Sequence, residues 1–541
     1  MSTADDVRGQ QEQTELTAAD LAASDLAGTA RNGALGLAGA VVAAAGGFAL
    51  AIVVGRGTDA EGAGLFFVAV AVFTIATGFG CLGADTGLLR SMSRLRALER
   101  YRDLRPTVWI AVVPVVVVCT CLSVAIVSWA DPLSTIVMSD ATTQQAQPYL
   151  TGTAAFLVVG AAFTVVVQAT RGLGDLWAYV ALQNVWLPLG RLALVTVAVL
   201  LLAGSTDAAW PGAAWLVPVS WSLPLVVALA GAATILRRLL RRAERRAERR
   251  EPVLPRQPVR LLAREFWGFA LPRGGAAALD LVLVWLDVIL VGVLRSTAEA
   301  GIYAAASRFV TTGTLALQAM RVAIAPQLSG LFATGQRRRA GDLYRGATVW
   351  VVLCSWPLYL LMACFPATLL RLFGPEFTAG GTALSILALG MLVSLGTGNV
   401  GTVLLMSGRS GLVLANKVTA LAAMLGVDLL LVPSYGMVGA AVGWTAAIAV
   451  DNLLALWQVG RLVDGPRLDR ATLIAAVAAV ACFGGAGLAL RAAFGDHVLP
   501  LVTALAGGTV LYAAVVYRGR DVLGMHHLLE LPRALVRRVR T

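Results

Sequence analysis

Apolar stretches of about 20 residues follow one another from Arg31 to Tyr517, separated by short polar breaks, the pattern of successive membrane-spanning helices. They fall at roughly 32–54, 63–90, 107–130, 148–170, 180–203 and 211–236 in the first part of the chain. After a basic interruption they resume at roughly 266–294, 300–330, 346–372, 379–407, 411–432, 437–460, 471–491 and 498–517. The pattern predicts an all-α polytopic membrane protein with about 14 transmembrane helices.

The polar breaks alternate in character. Every second one carries arginine: Arg94, Arg96, Arg100, Arg102 and Arg105, then Arg171, then Arg337–Arg339 and Arg345, then Arg409, then Arg461, Arg467 and Arg470. The breaks between them are nearly free of basic residues, and the longest, Asp131 to Gln147, has none. Juxtamembrane arginine stays in the cytosol, so both termini are expected there, in the plasma membrane of the cell. The interruption itself, Arg237 to Arg250, reads RRLLRRAERRAERR. Its paired arginines, with Glu244 and Glu248 one turn away, suit a helix leaving the bilayer beside anionic lipid headgroups.

The two parts echo each other. Asp59-Ala-Glu-Gly-Ala-Gly-Leu-Phe opens the second stretch and Thr297-Ala-Glu-Ala-Gly-Ile-Tyr the eighth, and Thr107-Val-Trp and Thr348-Val-Trp each begin the next but one. The echo predicts a duplication of six helices, and an even number makes the repeats parallel about an axis along the membrane normal. The expected organisation is a disordered cytosolic tail (1–30), a six-helix bundle (31–236), a basic linker (237–265), a second six-helix bundle (266–462), an appended helix pair (463–520) and a basic cytosolic tail (521–541), with a central cavity between the bundles.

Composition narrows the chemistry. The chain has 541 residues, 58% hydrophobic and 14% charged, with a net charge of +12. Its arginines sit between apolar runs, so the charge reports orientation in a bilayer and not nucleic acid. The six cysteines lie inside apolar runs and read as small packing residues, and His497, His526 and His527 have no ligand-spaced partners, so no metal and no cofactor are expected. No Gly-x-x-x-x-Gly-Lys-Ser/Thr loop is present, which sets aside ATP hydrolysis by that route, and the outer breaks are too short to hold an enzyme's active site.

Charges inside the spans are the functional candidates, because each costs about 3 kcal/mol on insertion scales. Arg273, Asp280 and Asp287 follow one another at intervals of seven, so they share a stripe on the seventh span. Arg308 and Arg321 follow on the eighth, and Arg31 and Arg90 stand at helix ends. Guanidinium grips phosphate bidentately, so these five arginines are candidates for holding a diphosphate in a cavity. Asp280 and Asp287 are the candidates for ion coupling, with interhelical ion pairs, Arg273 with Asp280 or Asp287 with Arg308, as the alternative. Arg191, Lys417, Asp428 and Asp451 are weaker cavity candidates, and Lys417 is too far from Asp428 along its helix to pair with it.

Asp428-Leu-Leu-Leu-Val-Pro-Ser-Tyr-Gly-Met-Val-Gly-Ala-Ala-Val-Gly resembles the helix corner of the polysaccharide flippase family, in the superfamily that also holds multidrug and toxin extruders and lipid II flippases. Gly80-Cys-Leu-Gly-Ala-Asp-Thr-Gly-Leu-Leu-Arg90 and Ala298-Glu-Ala-Gly-Ile-Tyr303 support the resemblance, which covers about residues 30 to 520. Asp428 departs from the asparagine that the family shows there. The resemblance implies two six-helix bundles around a cavity, alternating access, and export of a polyprenyl-diphosphate-linked oligosaccharide to the outer leaflet for cell-surface polysaccharide. A glycan polymerase or glycosyltransferase complex is a candidate partner. The alternatives are a cation-coupled antiporter of organic cations in the same superfamily and a non-transporting scaffold for envelope assembly. The corner itself reads as structural: Pro433 interrupts a helix, and Gly439, Ala440, Ala441 and Gly443 admit a close neighbour.

Overall fold

The computed structural model describes residues 33, 35–138, 140–204, 213–248, 255–463 and 469–520. Arg31, the acidic tail, Arg249, Arg250, His526, His527 and the basic tail after residue 520 lie outside the described residues. Within them the chain is all-helical, with no strand. We number the long helices α1 (Leu35–Gly57), α2 (Asp59–Gly80), α3 (Tyr101–Ser128), α4 (Thr143–Gly172), α5 (Leu176–Ala203), α6 (Ala214–Glu248) and α7 (Val259–Leu294). Next come α8, in two pieces (Thr297–Thr312 and Leu315–Ala333), and α9 (Arg337–Cys364). They are followed by α10 (Glu376–Thr397), α11 (Ser410–Tyr435), α12 (Met437–Val459), α13 (Arg470–Phe494) and α14 (Val498–Arg518).

Thirteen of these are long and apolar enough to cross a membrane among the described residues, and the fourteenth is α8, divided between Thr312 and Leu315. The apolar run predicted there is real, but its backbone is not continuous. At the break Gly313 packs against the Tyr359 ring, where a Cβ would come within 2.6 Å of Cζ. The Tyr359 hydroxyl donates to the Val310 carbonyl, which the break removes from the helical ladder. The second predicted span also ends early. Leu82 and Gly83 take positive φ, and a separate helix, Ala84–Ala97, carries the chain to the arginine-rich face.

The corner after α11 differs in detail from its expected form. Pro433 sits inside the last turn of α11, and Gly436, with φ of 56°, makes the reversal into α12. Glu299 completes the corner: its carboxylate accepts from Met437 N at 3.0 Å and pairs with Arg295 at 3.4 Å, while Arg295 donates to the Pro433 carbonyl at 3.2 Å.

α2 lies at the centre of the fold, packed along α8 at one end and α7 at the other. The repeated motifs turn out to be partners. The first turns of α2 and α8 touch backbone to backbone: a Cβ on Gly64 would lie 2.7 Å from the Thr297 carbonyl carbon, and one on Gly301 2.6 Å from Gly64 N. Each first turn is capped by an acid from the other half of the chain. Asp140, between α3 and α4, accepts from Thr297 N at 2.7 Å, and Glu376, at the start of α10, accepts from Ala60 N at 3.1 Å. Carboxylates at helix N-termini satisfy free N–H groups and oppose the helix dipole. Arg56 reinforces this closure by donating to the Leu372 carbonyl at 2.8 Å.

A second closure lies at the arginine-rich end. A Cβ on Gly83 would meet Gly274 N of α7 at 2.6 Å, Arg94 pairs with Glu265 at 2.9 Å, and Asp103 accepts from Gln257 N at 3.1 Å. Between the closures Phe48 of α1 meets Phe309 of α8 edge to face at 4.9 Å. α13 and α14 stand to one side, packed on α9. Asp496 fastens their connection by accepting from Ala367 N and Thr368 N, each at 3.0 Å. The arginine ladder extends α6 as a helix to Glu248, where Glu244 reaches Arg105 at 3.8 Å.

Candidate functional site

A cavity of about 400 Å³ opens among α1, α2, α5, α6, α7 and α8. Its apolar wall includes Phe48, Phe66, Phe67 and Val70, and Ala43, Ala44 and Gly47 of α1 make the space by their small size. Among the described residues its charged lining groups are Arg191 of α5 and Arg308 of α8, and the acid that acts on Arg308, Asp287, is not itself part of the lining. The guanidinium of Arg191 stacks 3.8 Å from the centre of the Trp221 ring while its Nε donates to the Trp221 carbonyl at 3.2 Å. Arg308 stacks 4.2 Å from Trp285 and 5.5 Å from Phe67.

A guanidinium on an indole face gains about 1–2 kcal/mol when desolvated, which offsets only part of its burial cost. Arg308 also feels the charge of Asp287 on α7, so its guanidinium has a carboxylate nearby as well as the two rings. The cavity thus sets two guanidinium groups into a largely apolar wall.

The other sequence candidates fall elsewhere. The stripe on α7 does not line this cavity; Trp285 is the α7 side chain that does. Arg273 and Arg321 are exposed and make no ion pair or hydrogen bond through their side chains among the described residues. Arg90, on the helix Ala84–Ala97, stacks 4.1 Å from Phe269, beside the Arg94–Glu265 pair. Asp280 meets Lys417 of α11 at 3.3 Å, and Lys417 also meets Asp451 of α12 at 3.0 Å. That triad is the interhelical pairing raised as an alternative, with Lys417 in place of Arg273 as the cation. Asp287 is buried, accepting from the Tyr303 hydroxyl and, at 3.0 Å, from its neighbour Val288 N. Asp428 is fully buried against Gly443, and neither of its carboxylate oxygens has a hydrogen-bond partner among the described residues.

Two lining residues, Gln183 and Asn184, carried no signal as charges or motifs. They sit in a π-helical segment of α5, Val180–Trp186. Leu187 N donates five residues back to the Leu182 carbonyl, and Pro188 has no N–H to give, so the turn widens at these two positions. Pro188 four residues after Asn184 was the readable sign of it.

Residues 30–332, more than half of the chain, match the family model described as polysaccharide biosynthesis protein. The probable low-salt glycan biosynthesis flippase Agl15 of Haloferax volcanii is 26% identical over 171 residues, 31% of this chain and 36% of that protein. The match thus spans about a third of that relative's length. Among solved structures, the lipid II flippase MurJ in an inward closed conformation superposes with a TM-score of 0.65 at 11% identity, over 89% of this chain and 98% of that one. An inward-facing multidrug resistance MATE family transporter gives 0.57 at 13% identity, over 77% and 94%. At such identities the likeness is one of fold.

Proposed function

The chain belongs to the polysaccharide biosynthesis protein family, and from that membership we propose that it is a flippase for a polyprenyl-diphosphate-linked oligosaccharide. The observation that carries the reading is the pair Arg191 and Arg308, from opposite halves of the chain, in a cavity whose lining among the described residues holds no acid, with Asp287 beside it acting on Arg308 alone of the two. Two such cations suit a diphosphate and repel an organic cation, which disfavours the antiporter alternative. The probable glycan biosynthesis flippase among its relatives supports the same cargo class.

In this reading the diphosphate seats between the two arginines while the polyprenyl chain remains in lipid. The closures at either end of α2 open in turn, so the site faces one leaflet and then the other. Both closures are short-range contacts, between backbone atoms, capping carboxylates and the side chains of Arg56, Arg94 and Glu265, which part as units when the halves rock. Asp280 is exposed and shares Lys417 with Asp451, so Asp287, buried against Tyr303, is the stronger candidate for ion coupling. Neither the mechanism nor the cavity calls for ATP.

The test is transport by the purified protein in vesicles. A fluorescent polyprenyl-diphosphate disaccharide placed in one leaflet is expected to cross without ATP, at a rate at least about tenfold above protein-free vesicles, a difference of about 1.4 kcal/mol in barrier. A lipophilic cation offered to the same vesicles is expected to stay at the protein-free rate. Movement of the cation and not of the glycolipid would overturn the assignment.

A further inference from the structure

We infer that the widened turn of α5 bearing Gln183 and Asn184 is a sugar-recognition subsite, which reads the first residues of the glycan while Arg191 and Arg308 hold the diphosphate. The inference rests on the proposed function and adds to it the groups that set specificity. Gln183 and Asn184 line the cavity, and neither amide makes a hydrogen bond among the described residues. Both are half-buried and open to the cavity, so their donors and acceptors are available to a ligand there.

The rest of the lining cannot supply this chemistry. Arginine only donates. The hydroxyl of Thr74 is committed to the Val70 carbonyl at 2.7 Å, and that of Thr311 to its own helix at 3.2 Å. The two amides are thus the uncharged groups of the lining with both donors and an acceptor to offer, and a sugar hydroxyl needs both from its partner.

Position agrees with this division. Asn184 precedes Arg191 by seven residues, about 10 Å along α5, a separation that a diphosphate and its first sugar can bridge. The α1 backbone comes close to hold the turn: a Cβ on Gly39 would lie 3.0 Å from the Asn184 amide nitrogen, and one on Gly46 3.0 Å from Pro188 Cβ. The amides therefore have a fixed backing, which selectivity requires.

Binding of short soluble probes separates the subsites. Farnesyl diphosphate would be compared with farnesyl diphosphates carrying glucose, galactose or N-acetylglucosamine, on the full-length protein in detergent. The parent is expected to prefer at least one glycosylated probe about tenfold or more over the bare diphosphate. Gln183→Leu/Asn184→Leu, which keeps side-chain bulk, is expected to bring that probe down to the level of the bare one. Arg308→Gln is expected to weaken all four together. The single variants Gln183→Leu and Asn184→Leu, checked by thermal melting, serve if the double variant does not fold. A parent without preference, or a leucine variant that keeps it, overturns the subsite. A parent that binds none of the probes, or an Arg308→Gln protein that binds all of them as the parent does, overturns the flippase reading itself.

Discussion

Arg308→Ala is expected to slow glycolipid flipping about 100-fold while the protein keeps its folded yield. The guanidinium that stacks on Trp285 in the cavity is lost, and with it the two charge-assisted hydrogen bonds proposed for the diphosphate. Truncating one side of such a desolvated pair costs about 2–5 kcal/mol, and each 1.4 kcal/mol is tenfold in rate. Folding should survive, because the stack on one ring face is worth only about 1–2 kcal/mol and removing a buried charge returns part of its insertion cost. Arg191→Ala should act in the same direction. Arg273→Ala and Arg321→Ala should stay within about twofold of the parent, since those side chains are exposed and away from the cavity. Flipping rates of the four variants in vesicles check this, and equal losses in all four would mean that general positive charge matters and not the cavity.

Gly301→Val is expected to abolish transport by holding one closure open. Even a single methyl at this position would lie 2.6 Å from Gly64 N, so the first turns of α2 and α8 must separate. The obstruction is backbone, which cannot rotate away as a side chain can, and overpacking of this kind costs about 1–3 kcal/mol or more. The capping of Thr297 by Asp140 and of Ala60 by Glu376 lies in the same few residues and would be strained with it. A reporter cysteine at Ala63, buried in the closure, in a background without the six native cysteines, should label from the side opposite the arginine-rich loops in Gly301→Val and not in the parent. A Gly301→Val protein that flips at the parent rate would show that this contact is not part of the cycle.

Much of the fold was legible because the bilayer imposes a length on every span, so apolar runs locate helices directly. The echo of Asp59-Ala-Glu and Thr297-Ala-Glu marked the two turns that meet in the structure. The break in α8 was not legible: Gly313 is unremarkable in its own neighbourhood, and the group that captures the freed carbonyl, Tyr359, lies on another helix. The site divides along the same line. Arg308 and Arg191 stood out as charges inside apolar runs, but Arg273 and Arg321 gave the same signal, and only packing shows which of them face a cavity. Lys417 was measured against Asp428 on its own helix, whereas its partners, Asp280 and Asp451, come from α7 and α12. Gln183 and Asn184 were silent because an uncharged amide in a span is inexpensive and acquires meaning only from the widened turn around it.

The central claim is that the diphosphate of the cargo rests between Arg191 and Arg308. Photolabelling measures this directly: a polyprenyl diphosphate with a photoreactive group next to its phosphates is bound, irradiated, and the labelled peptides are mapped. The account predicts label on the α5 peptide around residues 183–191 and on the α8 peptide around 308–311, displaced by excess unlabelled diphosphate lipid. Label confined to the Asp280–Lys417–Asp451 side of the molecule, or to α13 and α14, with α5 and α8 clear, would contradict it.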